Sequence, residues 1–269
     1  MNQQWGRMAA ALALTASGTL ALAACSNDPS PTTKGSGSGS LPQGAEKVDL
    51  KSADFSTTID NPYFPLKPGT RMTYTEIDTE GASAKVVVTV TSGTKVLANG
   101  VTARVVRDTA SEDGVIVEDT FDWYAQDRQG NVWYLGEDTA EFENGAVKSR
   151  AGSFETGVDG AQAGIAMPAH PAVGTSYRQE YLKGEAEDQG EILSLAEKVG
   201  VPFGAFDKAL LTRDSTPLEP DQVEYKLYAP GIGQVLAVDI SGGSAREELI
   251  SVKQVADGAG LSQLGQPDA

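Results

Sequence analysis

Two neighbouring runs of the chain gather enough carboxylates to do chemistry. Glu118, Asp119 and Asp122 lie in the first, and Glu137 and Asp138 close the second. Asp119, Asp122, Glu137 and Asp138 together are hard oxygen donors of the kind calcium takes from Asp, Glu and backbone carbonyls. Their spacing is not that of an EF-hand loop. Calcium therefore stands as a candidate cofactor beside the plainer reading of a solvated or arginine-paired acidic face. Glu185, Glu187, Asp188 and Glu191 form a further cluster. Paired carboxylates can also flank a glycosidic bond, but their separation decides that chemistry and is not written in the sequence. The single histidine, His170, sits in Pro168-Ala169-His170-Pro171. One histidine cannot build the usual multi-histidine zinc site. There is no Gly-x-Ser-x-Gly elbow to present a serine to it, so His170 reads as a solvated loop residue and no catalytic residue is assigned.

Aromatic residues run through the same stretch. Val115, Val117, Asp119, Phe121 and Trp123 share one face of an alternating strand, and Ile116, Glu118, Thr120, Asp122 and Tyr124 share the other. The turn Asp127-Arg128-Gln129-Gly130-Asn131 leads into Val132-Trp133-Tyr134-Leu135-Gly136. The result is a two-stranded ribbon with aromatics on both surfaces, one covering a core and the other free to line a groove. With Tyr63 and Phe64 upstream, Trp123, Tyr124, Trp133 and Tyr134 are the candidate contacts for a small apolar or lipid ligand. An unpaired Asp119 on the Phe121 and Trp123 face would be costly.

The elements that must hold these residues are read as strands. Arg71 to Ile77 alternates, and Val86-Val87-Val88-Thr89-Val90 is β-branched throughout, which suits a pleated surface. Asn99-Gly100 and Asn144-Gly145 supply the positive φ angles of tight hairpins. Ser241-Gly242-Gly243-Ser244 marks another turn. The prolines of 60–69 forbid a helix and favour an extended path that lays Tyr63, Phe64 and Leu66 over one end of the core. Gly157, Gly160, Gly164, Pro168 and Pro171 mark 152–171 as a long surface loop. Between 185 and 200, Ile192, Leu195, Ala196 and Val199 fall at helical spacing, with Gly200 as a C-cap. About a dozen short strands at hairpin spacing predict an all-β, antiparallel meander. It curves strongly into a partly closed barrel or sandwich.

The amino terminus reads separately. Arg7 precedes an apolar, interrupted run that is too short to span a bilayer and fits a secretory leader at 1–24. The leader runs into the chain's one cysteine as Leu22-Ala23-Ala24-Cys25, which resembles a bacterial lipobox. That resemblance implies diacylation of the Cys25 thiol and cleavage to make Cys25 the new, acylated terminus. A lone exported cysteine has no disulfide partner, and two acyl chains anchor stably where one does so only marginally. Residues 25–52, with alternating Gly and Ser from Gly35 to Ser40, are expected as a flexible linker. A single domain is expected over 53–256 and a frayed tail over 257–269. The net charge is −16 and becomes one unit more negative once Arg7 is lost. That excludes a nucleic-acid footprint and argues against folding down onto an anionic bilayer.

Four local patterns resemble those of uncharacterised bacterial lipoproteins and secreted β-proteins. Tyr63-Phe64-Pro65-Leu66-Lys67-Pro68-Gly69-Thr70 is similar to their opening FPLKxGxxWxY, with Met72 in place of the tryptophan. Asp127 to Asp138 is similar to DGNVWYFGED, Val201 to Phe206 to VPxGxF, and Tyr228 to Val235 to YAPGVGxV. The resemblance covers roughly residues 59 to 252 and consists of turns and core aromatics. It implies a curved antiparallel sheet, joins two strands at the Val201 to Phe206 bend and so favours strands over 185–200 where periodicity alone favours a helix, and carries over no catalytic residues. Together these readings describe a lipid-anchored domain outside the cytoplasm, on the cell or outer membrane. Its expected partner is a small apolar ligand or an envelope protein, with a calcium-binding domain or a hydrolase as the alternatives.

Overall fold

In the computed structural model the described residues are 40–77 and 81–267. The leader, Cys25 and the linker up to residue 39 lie outside them. The described residues form sixteen strands. The first eight are β1 (Phe55–Ser56), β2 (Thr70–Ile77), β3 (Ser83–Val96), β4 (Thr102–Glu112), β5 (Val115–Asp127), β6 (Val132–Glu143), β7 (Ala146–Ser149) and β8 (Phe154–Glu155). The other eight are β9 (Gln162–Met167), β10 (Ser176–Arg178), β11 (Glu180–Tyr181), β12 (Gln189–Val201), β13 (Gly204–Ser215), β14 (Val223–Ala229), β15 (Gly233–Ser241) and β16 (Arg246–Gln254). Many are longer than the short strands expected. Among the described residues the only other regular element is a helical turn at Ser52–Asp54. Among them, too, no helix is long and apolar enough to cross a membrane.

Every pairing is antiparallel, and neighbours run β10-β12-β13-β14-β15-β16-β2-β3-β4-β5-β6-β9-β11. β10 and β11 are the two ends of that order, yet only Gln179 separates them in the chain. One stretch, 176–181, therefore pairs with β12 through its first half and with β9 through its second. The sheet closes into a nearly complete barrel, which removes the exposed edges of an open sheet. Arg178, 1 % exposed, fastens this seam. Its guanidinium donates to Ala163 O at 3.1 and 2.6 Å and to the carbonyls of Gly44 and Glu46 at 2.6 and 2.7 Å.

Those last two bonds correct the extent of the linker. Leu41 packs against the core and Pro42 O accepts the Arg178 amide at 2.8 Å, so the chain is part of the barrel from about residue 41 rather than 53. The tail is corrected too. Arg107, on the outer face of β4, donates to Ser262 Oγ and Gln266 O, and Leu261 lies against Gly93. Residues 256–267 thus cover the outer face of β3–β5, and Thr89 and Thr91 are buried there beneath Gly260.

The expected loop at 152–171 contains β8 and the inner strand β9, where Ala163, Ile165 and Met167 are fully buried. Gly164 is not a break. A Cβ there would stand 2.2 Å from Gln179 O, so glycine lets the seam cross β9 closely. The helical spacing of 185–200 has a different origin. β12 shifts register against β13 between Ile192, Ser194, Glu197 and Lys198. Each bulge inserts a residue and changes which face follows, so Ile192, Leu195 and Val199 all pack on core clusters from one irregular strand. The far end of the β12–β13 hairpin folds back onto β16, where the Phe203 amide donates to Leu249 O at 3.0 Å.

Candidate functional site: an acidic, tyrosine-lined cavity in the barrel

The alternation of β5 decides which of its residues face inward. Glu118, Thr120, Asp122 and Tyr124 line a cavity of about 300 Å³, while Asp119 and Trp123 face outward. β6 would send Tyr134 and Glu137 to opposite faces if it were regular. Its register against β5 shifts between Asp122 and Tyr124, at Gly136. Gly136 has φ +141, and a Cβ there would meet Phe154 O at 2.3 Å. This bulge turns Tyr134 and Glu137 to the same side and leaves Asp138 outside.

The cavity wall carries nine carboxyl groups. β2 contributes Glu76, β4 Asp108, β5 Glu118 and Asp122, and β6 Glu137. Glu180, Asp188, Glu224 and Glu247 complete the set. Among the described residues the wall has one cation, Lys226, and its charge is already met. Its Nζ stands 3.1 Å from Asp214 Oδ2 and 3.0 Å from Glu224 Oε2. Burial alone would lower Lys226, but Glu224 and Asp214 hold it well above its ordinary value.

Aromatic rings form the rest of the wall. Tyr124 and Tyr134 stack at 4.9 Å, and Phe64 lies 5.4 Å from Tyr124. Tyr134 Oη stands 2.7 Å from both Asp122 Oδ1 and Glu137 Oε2. A hydroxyl has one proton to donate, so the second contact requires a proton on one of the carboxyls. The electrostatics agree. Burial and then the Asp122 charge push Glu137 well above the usual carboxylate range, against the Tyr134 hydrogen bond that pulls it down. Burial pushes Asp188 up to about 7, with Lys226 opposing.

Glu180 stands apart from the other acids of the wall. It is 9 % accessible and lines the cavity, and its carboxyl has no hydrogen-bond or ion-pair partner among the described residues. Burial and the charges of Asp188, Glu137 and Asp122 raise it well above its ordinary range.

The residues singled out from sequence divide sharply. Phe64, Tyr124, Tyr134, Asp122 and Glu137 come together on the cavity wall. Tyr63 is half-buried beside the core and not on that wall. Trp123 faces outward, with Lys95 Nζ 3.2 Å over its ring, and Trp133 packs edge-on to Phe55 while donating to Asp127. Asp119 is wholly buried against Arg107, and Asp138 is half-exposed and paired with Arg150. The expected calcium set is therefore split between three environments. Among the described residues no three Asp, Glu, His or Cys side chains are grouped to hold a metal ion. His170 is exposed. Of the cluster at 185–191 only Asp188 reaches the cavity. Sequence reasoning missed Glu180, Lys226 and Tyr228; the alternation at 177–182 was visible, but not that the seam brings both Gln179 and Glu180 to the cavity.

Among solved structures the chain is similar to a protein of Parabacteroides distasonis ATCC 8503, described as a candidate lipoprotein. The two are 15 % identical with a TM-score of 0.40, over 72 % of this chain and 99 % of that one. No family model matches the chain, and no curated protein matches it.

Proposed function

We propose that this chain is a lipid-anchored binding domain outside the cytoplasm, and that it takes a small polar molecule into its barrel. The observation that carries the binding reading is the cavity of about 300 Å³ inside an otherwise packed barrel. That volume lies at the lower end of small-molecule sites, which run from roughly 300 to 1,000 Å³. The wall departs from the apolar ligand expected from the aromatics alone. Nine carboxyls surround the space, and each would have to lose water against a hydrocarbon chain. A polar occupant meets them instead. The anchor rests on Leu22-Ala23-Ala24-Cys25.

Native mass spectrometry of the protein purified from its own membrane tests both halves. The expected spectrum shows a chain beginning at an acylated Cys25 and a small-molecule adduct that is lost on denaturation. The variant Cys25→Ser is expected to leave the membrane fraction or retain its leader. An intact amino terminus with a free thiol would overturn the anchor, and adduct-free protein that also gains no thermal stability from a broad metabolite panel would overturn the binding reading.

A further inference from the structure

The cavity combines two features that call for the same kind of occupant. Its wall holds far more acid groups than basic ones, and the lysine on it is already neutralised by Asp214 and Glu224. Independently, Glu180 lies at the seam, more than nine-tenths buried, with a carboxyl that makes no hydrogen bond or ion pair among the described residues. A buried carboxylate is paired or hydrogen-bonded as a rule, because leaving it alone is expensive. On the same cavity wall stand the stacked rings of Tyr124 and Tyr134, with Phe64 against the first. Tyrosine and phenylalanine faces attract cations through the ring quadrupole. A positive group with N–H or N-methyl surface satisfies the carboxyl and the rings at once.

We propose that the ligand of this cavity is a small organic cation, an alkyl amine or quaternary ammonium. Its charge is met by the Glu180 carboxylate and its carbon surface by the Tyr124 and Phe64 rings. The proposal rests on the reading of the cavity as a ligand site and adds the chemical class. A bare metal ion fits less well, because it wants several oxygens converging at about 2.3–2.6 Å, and the described acid groups form no such cluster. Carboxyls dispersed around the space suit a larger, softer charge. Four elements face Glu180 with titratable groups: Asp122 on β5, Glu137 on β6, Asp188 ahead of β12 and Lys226 on β14. Burial and mutual repulsion favour protons on part of this set. An arriving cation replaces some of those protons, so binding releases protons to solvent.

Isothermal titration of the full mature protein in detergent tests this, with putrescine, choline, calcium chloride, glucose and laurate as probes. Runs in two buffers of different ionisation heat read the proton count. Putrescine or choline is expected to bind with net proton release, and Glu180→Gln to weaken that binding about tenfold or more, the loss of one charged contact. Glu137→Gln is a second variant that decides the matter if the first does not fold. Binding of the cations with unchanged affinity in Glu180→Gln, or in Glu137→Gln where the first does not fold, would overturn the proposal. Binding of glucose, laurate or calcium without either organic cation would overturn it while leaving the cavity as a ligand site. Silence from all five probes, with no shift in melting temperature, would remove both readings.

Discussion

Asp119 shows how one carboxylate can look like a ligand and be a fastener. Its two oxygens accept from Arg107 Nε at 2.9 Å and Nη2 at 2.5 Å, from Thr109 Oγ1 at 2.8 Å and from the Gly265 amide at 2.7 Å. Arg107 directs its remaining donors to Ser262 and Gln266. The pair is 2 % and 0 % exposed, so removing the acid leaves a buried guanidinium without its counter-charge. Breaking a buried pair in this way costs about 3–5 kcal/mol. Asp119→Ala is therefore expected to lower the melting temperature by roughly 10 °C in a domain of this size, read by circular dichroism. A fall of less than about 2 °C would mean that the clasp between β4, β5 and the tail contributes nothing. The sequence made an unpaired Asp119 look expensive on its strand face, and that physical objection was sound. Its partner came from Arg107 and from a tail at 256–267 whose small polar residues look like frayed chain until they are seen supplying carbonyls and an amide.

At the level of elements, a period of two carries the reading only as far as the first bulge. β5 is regular from Glu118 to Asp122, and its two faces separate as written. β6 is not. Gly136 inserts the extra residue that brings Glu137 beside Tyr134. Nothing in a run of one-letter alternation announces that shift, although an isolated glycine within a strand is the usual mark of one. β12 misleads in the opposite sense, since its three register shifts produce apolar spacings of three and four that a helix would also give. The strand type, the hairpins at Asn99 and Asn144 and the turn after Ser241 were legible because turn chemistry is local. The seam at 176–181 was not, because closure depends on two strands far apart in sequence. Gly136→Ala tests the bulge directly. The φ of +141 and the 2.3 Å approach to Phe154 O leave no place for a methyl group. Strain at such a site is on the order of 1–3 kcal/mol before any clash. The variant is expected to melt several degrees lower and to lose near-ultraviolet dichroism from the Tyr124 and Tyr134 stack. An unchanged spectrum would show that the bulge does not position those rings.

For the whole molecule, the acid-lined interior predicts an unusual dependence of stability on pH. Carboxyls in the unfolded chain titrate near 3.9 for Asp and 4.3 for Glu. In the folded barrel Asp188 is raised to about 7, and Glu137 and Glu180 are raised well above their ordinary values. The folded state therefore holds more protons than the unfolded state throughout that window, and stability falls as pH rises. The favourable contribution is complete below about pH 4 and is lost as pH climbs through the folded value near 7 for Asp188. Moving one group's titration by a single pH unit between the two states changes stability by about 1.4 kcal/mol. The net charge of −16 acts in the same direction, since deprotonation adds to self-repulsion. The ligand-free protein is thus expected to melt at a higher temperature at pH 5 than at pH 8, and Glu180→Gln to raise the melting temperature at pH 8 while changing little at pH 5. The variant isolates the cavity's share, because surface repulsion is nearly the same in both proteins. A melting temperature that rises from pH 5 to pH 8, or a Glu180→Gln variant less stable than the parent at pH 8, would show that Glu180 is satisfied in the folded barrel and that its burial stores no unmet charge.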